Sequence, residues 1–445
     1  MLYNAGARVY TTGVAEKEKR RFRVRAGGEA VRRGLQARPH IRPRVYGYLT
    51  EEKESLRQGF AALFLSSTGE LAAGLALAGI AGILNELVGL AVLIPAAIGM
   101  RGAIFGAMGS RLSTAIQTGL FSFNLRRGVL AENIQAAAVL SLISGVFLAF
   151  MARLLCDFLG VRTELSIFDY VVISTVGGVI AGVLLLGITV VVARLSVARE
   201  WDMDNIAAPM ITAFGDILTL PSLVVATYLI GIPVFSNVLA GVLVLIAVAV
   251  VVAAFRIGAP SLRRILAESL PILAMTGTVT ILVGVALQDR EEQFFTLLAL
   301  SVLLPAFLQE GGALGGILSS RLSSKIHLGL LAPRGIPPMN AFGDFTLTYI
   351  FATGVYVFIG GAAHLIAVVV FSADASPGFL PMVGISTLAG LIATTAAAFA
   401  AYYGSILSYR AGLDPDTYGI PIITAAVDLL GFMSLIIAFI VFDLV

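Results

Sequence analysis

Two aspartates set in the middle of long apolar stretches are the residues best suited to chemistry in this chain. Asp216 lies 12 positions beyond Asp204, and Asp428 lies 12 beyond Asp416, which is about 18 Å along a helix rising about 1.5 Å per residue. Each carboxylate therefore falls near the middle of a bilayer. An ionised Asp at a helix centre costs about 2.5–3.5 kcal/mol on the insertion scale, so a pair at matched positions implies a compensating partner. Pro209, Thr212 and Asp216 are spaced i, i+3, i+7, as are Pro421, Thr424 and Asp428, and each trio shares one helix face. The proline removes a backbone donor and frees a carbonyl one turn earlier. Carboxylate, hydroxyl and carbonyl are all oxygen, the ligand type of hard cations such as Mg²⁺, which takes one or two carboxylates and keeps several waters. The chemistry implied is coordination of a cation by Asp216, Asp428, Thr212 and Thr424. The plainer alternative is that each Asp caps or pairs with a neighbour inside a bundle.

Other polar and small residues are secondary candidates. Gly102 and Gly106, Gly311 and Gly315, and Gly312 and Gly316 are small-xxx-small pairs that let helix backbones approach closely. They read either as packing faces or, at Gly102 and Gly312, as places where a hydrated ion meets exposed carbonyls. Pro95 and Pro305 suggest a kink at which irregular backbone lines a cavity. Glu310 and Arg101 are placed to pair between the two copies of the repeat described below. Asp344, in the stretch Asn340-Ala341-Phe342-Gly343-Asp344, is either a ligand at the mouth of an ion path or a helix-start charge favoured by the dipole. Asp202, Asp204, Asp414 and Asp416 form either an acidic inner mouth or a set of N-caps. Arg111 and Arg321 read as snorkelling anchors. His40, His327 and His364 are scattered, Cys156 is alone, and no nucleophile-plus-base constellation is present, so an enzyme is disfavoured. The run from Gly311 to Ser320 lacks the lysine of a phosphate loop.

These residues sit on a repeated scaffold. Residues 95–120 and 305–330 match at an interval of 210, sharing Pro, Ala, Gly-Ala, Gly, Ser-Arg-Leu-Ser, Ile and Gly-Leu; a second pair, 202–218 and 414–430, shares two Asp at the start, then Pro, Ile-Thr-Ala, an inner Asp and Leu. The protein is thus one unit built twice. Of 445 residues, 58% are hydrophobic and only 13% charged, and the mean hydropathy is +0.94. That is far more apolar than a soluble domain, which is about 25% charged. An all-α integral membrane protein is expected, with about eleven spans near 60–82, 88–110, 132–152, 168–193, 206–230, 235–255, 270–287, 294–318, 343–370, 380–401 and 420–443.

Charge distribution orients those spans. Lys and Arg number 14 of 30 within residues 1–57, a basic cytoplasmic tail expected to be disordered and to touch anionic headgroups. Beyond it, twelve fall in loops on the tail side and three on the other, leaving aside Arg101, which is the positive-inside pattern. Residues 58–233 and 257–445 then form two five-helix repeats, and the linking helix at 234–256 returns the chain so that both insert the same way up. The N-terminus is expected in the cytoplasm and the C-terminus outside. The fused chain imitates a symmetric dimer and is expected to act as a monomer, with the lipid bilayer and divalent cations as partners and no nucleic acid or cofactor.

The motif Pro-Ala-x-x-Gly-x-x-Gly with Ser-Arg-Leu-Ser-Thr (Pro95, Gly99, Gly102, Ser110 to Thr114), followed by Asp-x-Asp-x-x-x-x-Pro-x-x-Thr-x-x-x-Asp, resembles the MgtE family of Mg²⁺ transporters. It is most similar to the solute-carrier branch, in which two membrane domains are fused through an extra helix. The resemblance covers about residues 58–445. It implies that Asp216 and Asp428 are the pore aspartates and that the second and fifth helices of each repeat line the path. The asparagine that usually follows the glycine is replaced by Ala103 and Ala313, and the short tail is no match for the bacterial branch's cytoplasmic sensor domains. The expected function is divalent-cation transport across a plasma membrane, with Mg²⁺ as the leading ion and as cargo. The alternatives are a Na⁺- or H⁺-coupled exchanger and, more distantly, a membrane-embedded metal-dependent enzyme.

Overall fold

The computed structural model describes residues 53–199, 203–230, 233–327, 329–411 and 420–443. Most of the basic tail, Asp202, Asp414 and Asp416, and the side chains of Asp204, Pro209, Thr212 and Pro421 lie outside the described set. Among the described residues there is no strand. The helices are α1 (Lys53–Gly79), a short α2 (Ala81–Glu86), α3 (Ile94–Gln117), α4 (Val129–Leu159), α5 (Ile167–Arg199), α6 (Met203–Thr227), α7 (Pro233–Ile257), α8 (Pro260–Asp289), a short α9 (Glu291–Thr296), α10 (Leu298–His327), α11 (Phe342–Val370), α12 (Phe379–Ala411) and α13 (Ile420–Val441). Ten of them are long and apolar enough to cross a membrane, and α6 adds the apolar run Ala213–Thr227. Helices satisfy every backbone group internally, which hydrocarbon demands.

The duplication is visible down to its punctuation. The short helices α2 and α9 stand at the same 210-residue interval as the motifs. Both α3 and α10 are followed by a glycine in the left-handed region, Gly119 (φ 72°) and Gly329 (φ 71°). Beyond each glycine the chain folds back, with Leu120 N donating to Ala115 O at 2.9 Å and Leu330 N to Lys325 O at 2.8 Å. Only glycine enters that conformation cheaply. Glu132 and Asp344 are 212 residues apart, the interval that also separates Asp216 from Asp428. They are therefore true counterparts, both first-turn acids, on α4 and α11; the two extra residues of the second copy lie in the loop before α11. The prolines differ from expectation. Pro95 opens α3, where its missing N–H costs nothing, after a 3₁₀ turn at Leu90–Leu93. Pro305 lies inside α10.

The first helix of each half packs onto the other half. In α1, Phe60 meets Phe351 edge-on at 4.9 Å and Phe64 meets Phe358 at 4.8 Å, both on α11. In α8, Gly277 faces Met100, Phe147 and Leu148 of α3 and α4. Two glycines set these crossings. A Cβ at Gly74 would fall on the carbonyl oxygen of Val302, and one at Gly284 would fall on that of Val92, which is the same contact made twice at the 210-residue interval. The helix α1 also rests on its own half, with Gly69 2.6 Å from Ala213 Cβ if a Cβ is added. By contrast α7 packs mainly on α5 and α4 at the edge of the first half. Only 17% of its apolar stretch is buried, and Val238, Leu245 and Val252 are exposed, a surface suited to lipid.

Because carbonyls on a helix cannot yield, Gly74→Val and Gly284→Val are each expected to destabilise the detergent-solubilised protein by about 2 kcal/mol or more, within the usual range for overpacking. Thermal unfolding followed by size-exclusion chromatography checks this. Equal losses in the two variants are expected from the matched geometry.

Candidate cation site

The two halves meet around a cavity of ≈ 60 Å³ lined by Leu77, Ile94, Pro95, Ile98, Gly99, Asp216, Leu304, Pro305, Leu308, Gln309 and Asp428. Every lining residue but Leu77 belongs to a matched pair: Ile94 with Leu304, Pro95 with Pro305, Ile98 with Leu308, Gly99 with Gln309, and Asp216 with Asp428. The helices α3 and α10 bring the proline motifs, and α6 and α13 bring the carboxylates. One water needs about 10–15 Å³ on this measure, so there is room for a small cation that keeps part of its hydration.

The carboxylates differ in setting. Asp216 is 2% exposed and its Oδ1 has no hydrogen-bond partner among the described residues. Asp428 is half-buried and lines the same cavity as Asp216. Among the described residues, no basic side chain forms an ion pair with either. Among the described residues, no group of three or more His, Cys, Asp or Glu is arranged to hold a metal.

Sequence reasoning missed two polar groups. Gln309 lines the cavity where the first half has Gly99. Glu70, on α1, is fully buried, and neither of its carboxyl oxygens accepts a hydrogen bond from a donor among the described residues; it lies against Asp216 and within electrostatic reach of Glu310. The signal was available, because an acid inside an apolar span is a functional candidate wherever it falls. Glu70 stands outside the repeated motifs, and its counterpart is Thr280.

The remaining candidates are placed as follows. Glu310 is fully buried on α10 and accepts a hydrogen bond from Ser67 Oγ at 2.7 Å. The expected Arg101–Glu310 pair does not form, because Arg101 on α3 points toward Gly178 of α5 while Glu310 points toward α1. Thr424 on α13 packs its Cγ2 over Gly312, 2.8 Å from where a Cβ would stand. Gly311 and Gly315 receive Val427 and Ile423 in the same way, so this glycine face is a packing surface for α13. No described atom lies within 4 Å of a Cβ placed at Gly102; the matched partner, Thr212, is among the undescribed side chains. Asp344 is 1% exposed, takes Arg321 Nε at 3.2 Å and Lys325 Nζ at 2.6 Å, and is not part of the cavity wall. Its matched region is built differently: Arg111 Nε donates to Asn133 Oδ1 at 2.7 Å and Ser261 Oγ donates to Glu132 at 2.6 Å. Arg111 and Arg321 thus tie helices together rather than simply reaching for water.

Comparison with known proteins agrees with this architecture. Solute carrier family 41 member 2 of Xenopus laevis is 25% identical over 380 residues, covering 78% of this chain and 64% of that protein. The mouse protein of the same name is 23% identical over 376 residues, covering 78% and 63%. This chain therefore spans less than two thirds of the length of these relatives. A crystal structure of the Vibrio cholerae MATE transporter VcmN overlays on 87% of this chain and 97% of its own at 14% identity and a TM-score of 0.28, a level from which nothing about this chain follows. The MgtE family, described as divalent cation transporter, matches residues 94–226 and 304–438, one stretch in each half and each ending beyond its central aspartate. With more than half of its length so matched, the chain belongs to the MgtE family.

Proposed function

We propose that this protein carries a divalent cation across the membrane in which it sits, with Mg²⁺ as the favoured ion, through the cavity between its halves. The observation that carries the reading is the wall of that cavity: matched residues from both copies, ending in one carboxylate from each. Two negative charges complement a doubly charged ion. The small number of protein oxygens suits Mg²⁺, which surrenders its waters reluctantly, better than Ca²⁺, which takes six to eight oxygen ligands in a fuller cage. Asp216 and Asp428 are the ligands, Gln309 offers a further oxygen on one side, and Glu70 adds negative field behind Asp216. With the tail-side loops in the cytoplasm, inward movement of a double charge is favoured by about 4.6 kcal/mol at 100 mV.

Asp344 serves the scaffold in this reading. Its carboxylate is taken by Arg321 and Lys325, and it ties the end of α10 to the start of α11. Breaking a buried ion pair by removing one partner costs about 3–5 kcal/mol; the cations here are each about one quarter exposed, which lowers that to about 1–3 kcal/mol.

Flux of divalent ions into proteoliposomes tests the proposal. One carboxylate charge about 5 Å from a divalent ion is worth several kcal/mol at an effective dielectric constant of about 20. At about 1.4 kcal/mol per decade, Asp216→Asn or Asp428→Asn should raise the half-saturating Mg²⁺ concentration at least a hundredfold, and the double variant should show no flux. Unchanged flux in the double variant, with protein still folded in the membrane, would refute the pathway. Asp344→Asn is expected to separate the two roles, melting several degrees lower while retaining flux wherever it stays folded. Repeating the flux with and without a Na⁺ or pH gradient distinguishes a channel from a coupled exchanger.

A further inference from the structure

A second cavity, of ≈ 200 Å³, lies in the first half between α3, α4 and α5. Phe105, Ala137, Ala138, Gly182 and Val183 are among the residues that line it, and Ser141 is its one hydroxyl. Val179 and Val183 on its rim are 39% and 63% exposed, and Ala138 is exposed beside them, so the opening faces outward from the bundle. Close-packed interiors hold few voids larger than a water molecule, and a water needs two to four polar partners. An apolar opening of this size calls for an apolar occupant. Its depth is set by the helices that frame it. Ala137 lies about 12 Å from the start of α4, and Leu186, also on the wall, lies about 20 Å from the end of α5, both counted from the tail side at about 1.5 Å per residue. In an apolar layer about 30 Å thick, that is where the acyl chains of the tail-side leaflet finish.

The tail-side ends of the same helices carry the charge that a lipid headgroup of opposite sign would meet. In the loop between α3 and α4, Leu120, Phe123 and Leu125 are exposed, and Arg126 and Arg127 follow them, exposed as well. Arg194 of α5 stands over the ring of Phe123, 5.3 Å from its centre, which ties this loop to the helix that frames the cavity. None of the three arginines takes part in an ion pair among the described residues, and the first acid of α4, Glu132, is occupied by Ser261. The second half fills the matched place with its own side chains. Tyr349 stands 212 residues beyond Ala137 and Thr395 stands 212 beyond Val183, and these two counterparts are joined by a hydrogen bond of 2.7 Å between their hydroxyls. At Gly315, the counterpart of Phe105, Ile423 closes in to 3.1 Å from where a Cβ would stand. What one half supplies as a tyrosine, the other leaves as room.

We propose that this cleft seats one acyl chain of an anionic phospholipid from the tail-side leaflet, whose phosphate is met by Arg126, Arg127 and Arg194. The wall is apolar, as a hydrocarbon chain requires, and it opens where only lipid can reach it. Basic side chains at a membrane surface attract anionic headgroups at about 1 kcal/mol each, and arginine matches phosphate oxygens with paired donors. The site rests only on the chain's place in a membrane. It is separate from the cavity between the halves, and neither stands or falls with the other.

Phosphatidylglycerol is the probe, with phosphatidylcholine of the same chains as its neutral control. Added to the detergent-solubilised full chain, phosphatidylglycerol should raise the melting temperature by about 2–4 °C more than phosphatidylcholine does. Ala137→Tyr with Val183→Thr writes the second half's plug into the first; it should fold and lose the response to both lipids. Arg126→Gln with Arg127→Gln should keep a response to lipid but weaken the preference for phosphatidylglycerol about tenfold or more. Crystals of wild type grown with phosphatidylglycerol brominated in mid-chain should show an anomalous peak between Ala138 and Val183, a result that does not depend on any variant folding. The proposal is overturned if that peak is absent, if the Ala137→Tyr, Val183→Thr protein responds to phosphatidylglycerol as wild type does, or if wild type responds equally to the two lipids.

Discussion

Two carboxyl groups brought together in an apolar interior are the constraint on which the rest of this structure turns. Were both ionised, unit charges about 5 Å apart would repel by about 3 kcal/mol at an effective dielectric constant of about 20, in a place with little water to screen them. A fold that holds Asp216 and Asp428 in one small cavity must resist that repulsion by packing. Here the resistance comes from helices exchanged between halves. Each opening helix, α1 or α8, is seated on the other copy by a glycine laid against a carbonyl, at Gly74 on Val302 and at Gly284 on Val92. A cation of matching charge turns the same geometry from a cost into an attraction.

Fusion of the two copies in one chain has let them diverge around a conserved centre. The cavity wall is paired almost throughout, yet one turn behind it the pairs differ. Ser67 bonds Glu310 at 2.7 Å, where the other half sets Gly277 against Met100. Glu70 has Thr280 as its counterpart, and Arg101 has Gly311. The polar members are spread over both halves: Glu70 and Arg101 come from the first and Glu310 from the second, but Glu70 and Glu310 meet because α1 crosses over. A symmetric dimer would be forced to carry each charge twice. A fused pair carries each once, and can keep a paired cavity wall between halves while placing a buried guanidinium to one side.

The ends of the helices show a similar division of labour. On the second half, Asp344, Arg321 and Lys325 form a compact ion cluster; on the first half the matched positions make neutral or single-charge contacts, Arg111 with Asn133 and Ser261 with Glu132. Such clusters fix the angle between consecutive helices without demanding apolar surface, which a lipid-facing bundle cannot use to drive packing. Rigid ends leave the central cavity as the place where a small change in helix position matters most.

Much of this was legible in the amino-acid order alone. The ten spanning helices with the further apolar run Ala213–Thr227, their duplication and the central place of Asp216 and Asp428 follow from hydropathy and interval, which are local quantities that a bilayer reads one segment at a time. Tertiary structure decided what depends on which helix lies beside which. The exchange of α1 and α8, the entry of Glu70 and Gln309 beside the cavity, the failure of Arg101 to reach Glu310, and the use of Gly311, Gly312 and Gly315 as a seat for α13 are all set by helix rotation and crossing. Glu70 carried no repeat signature, and Arg101 had an acid at a suitable position in the sequence but not in space. Periodicity says that a residue is on a helix face; only packing says what that face meets.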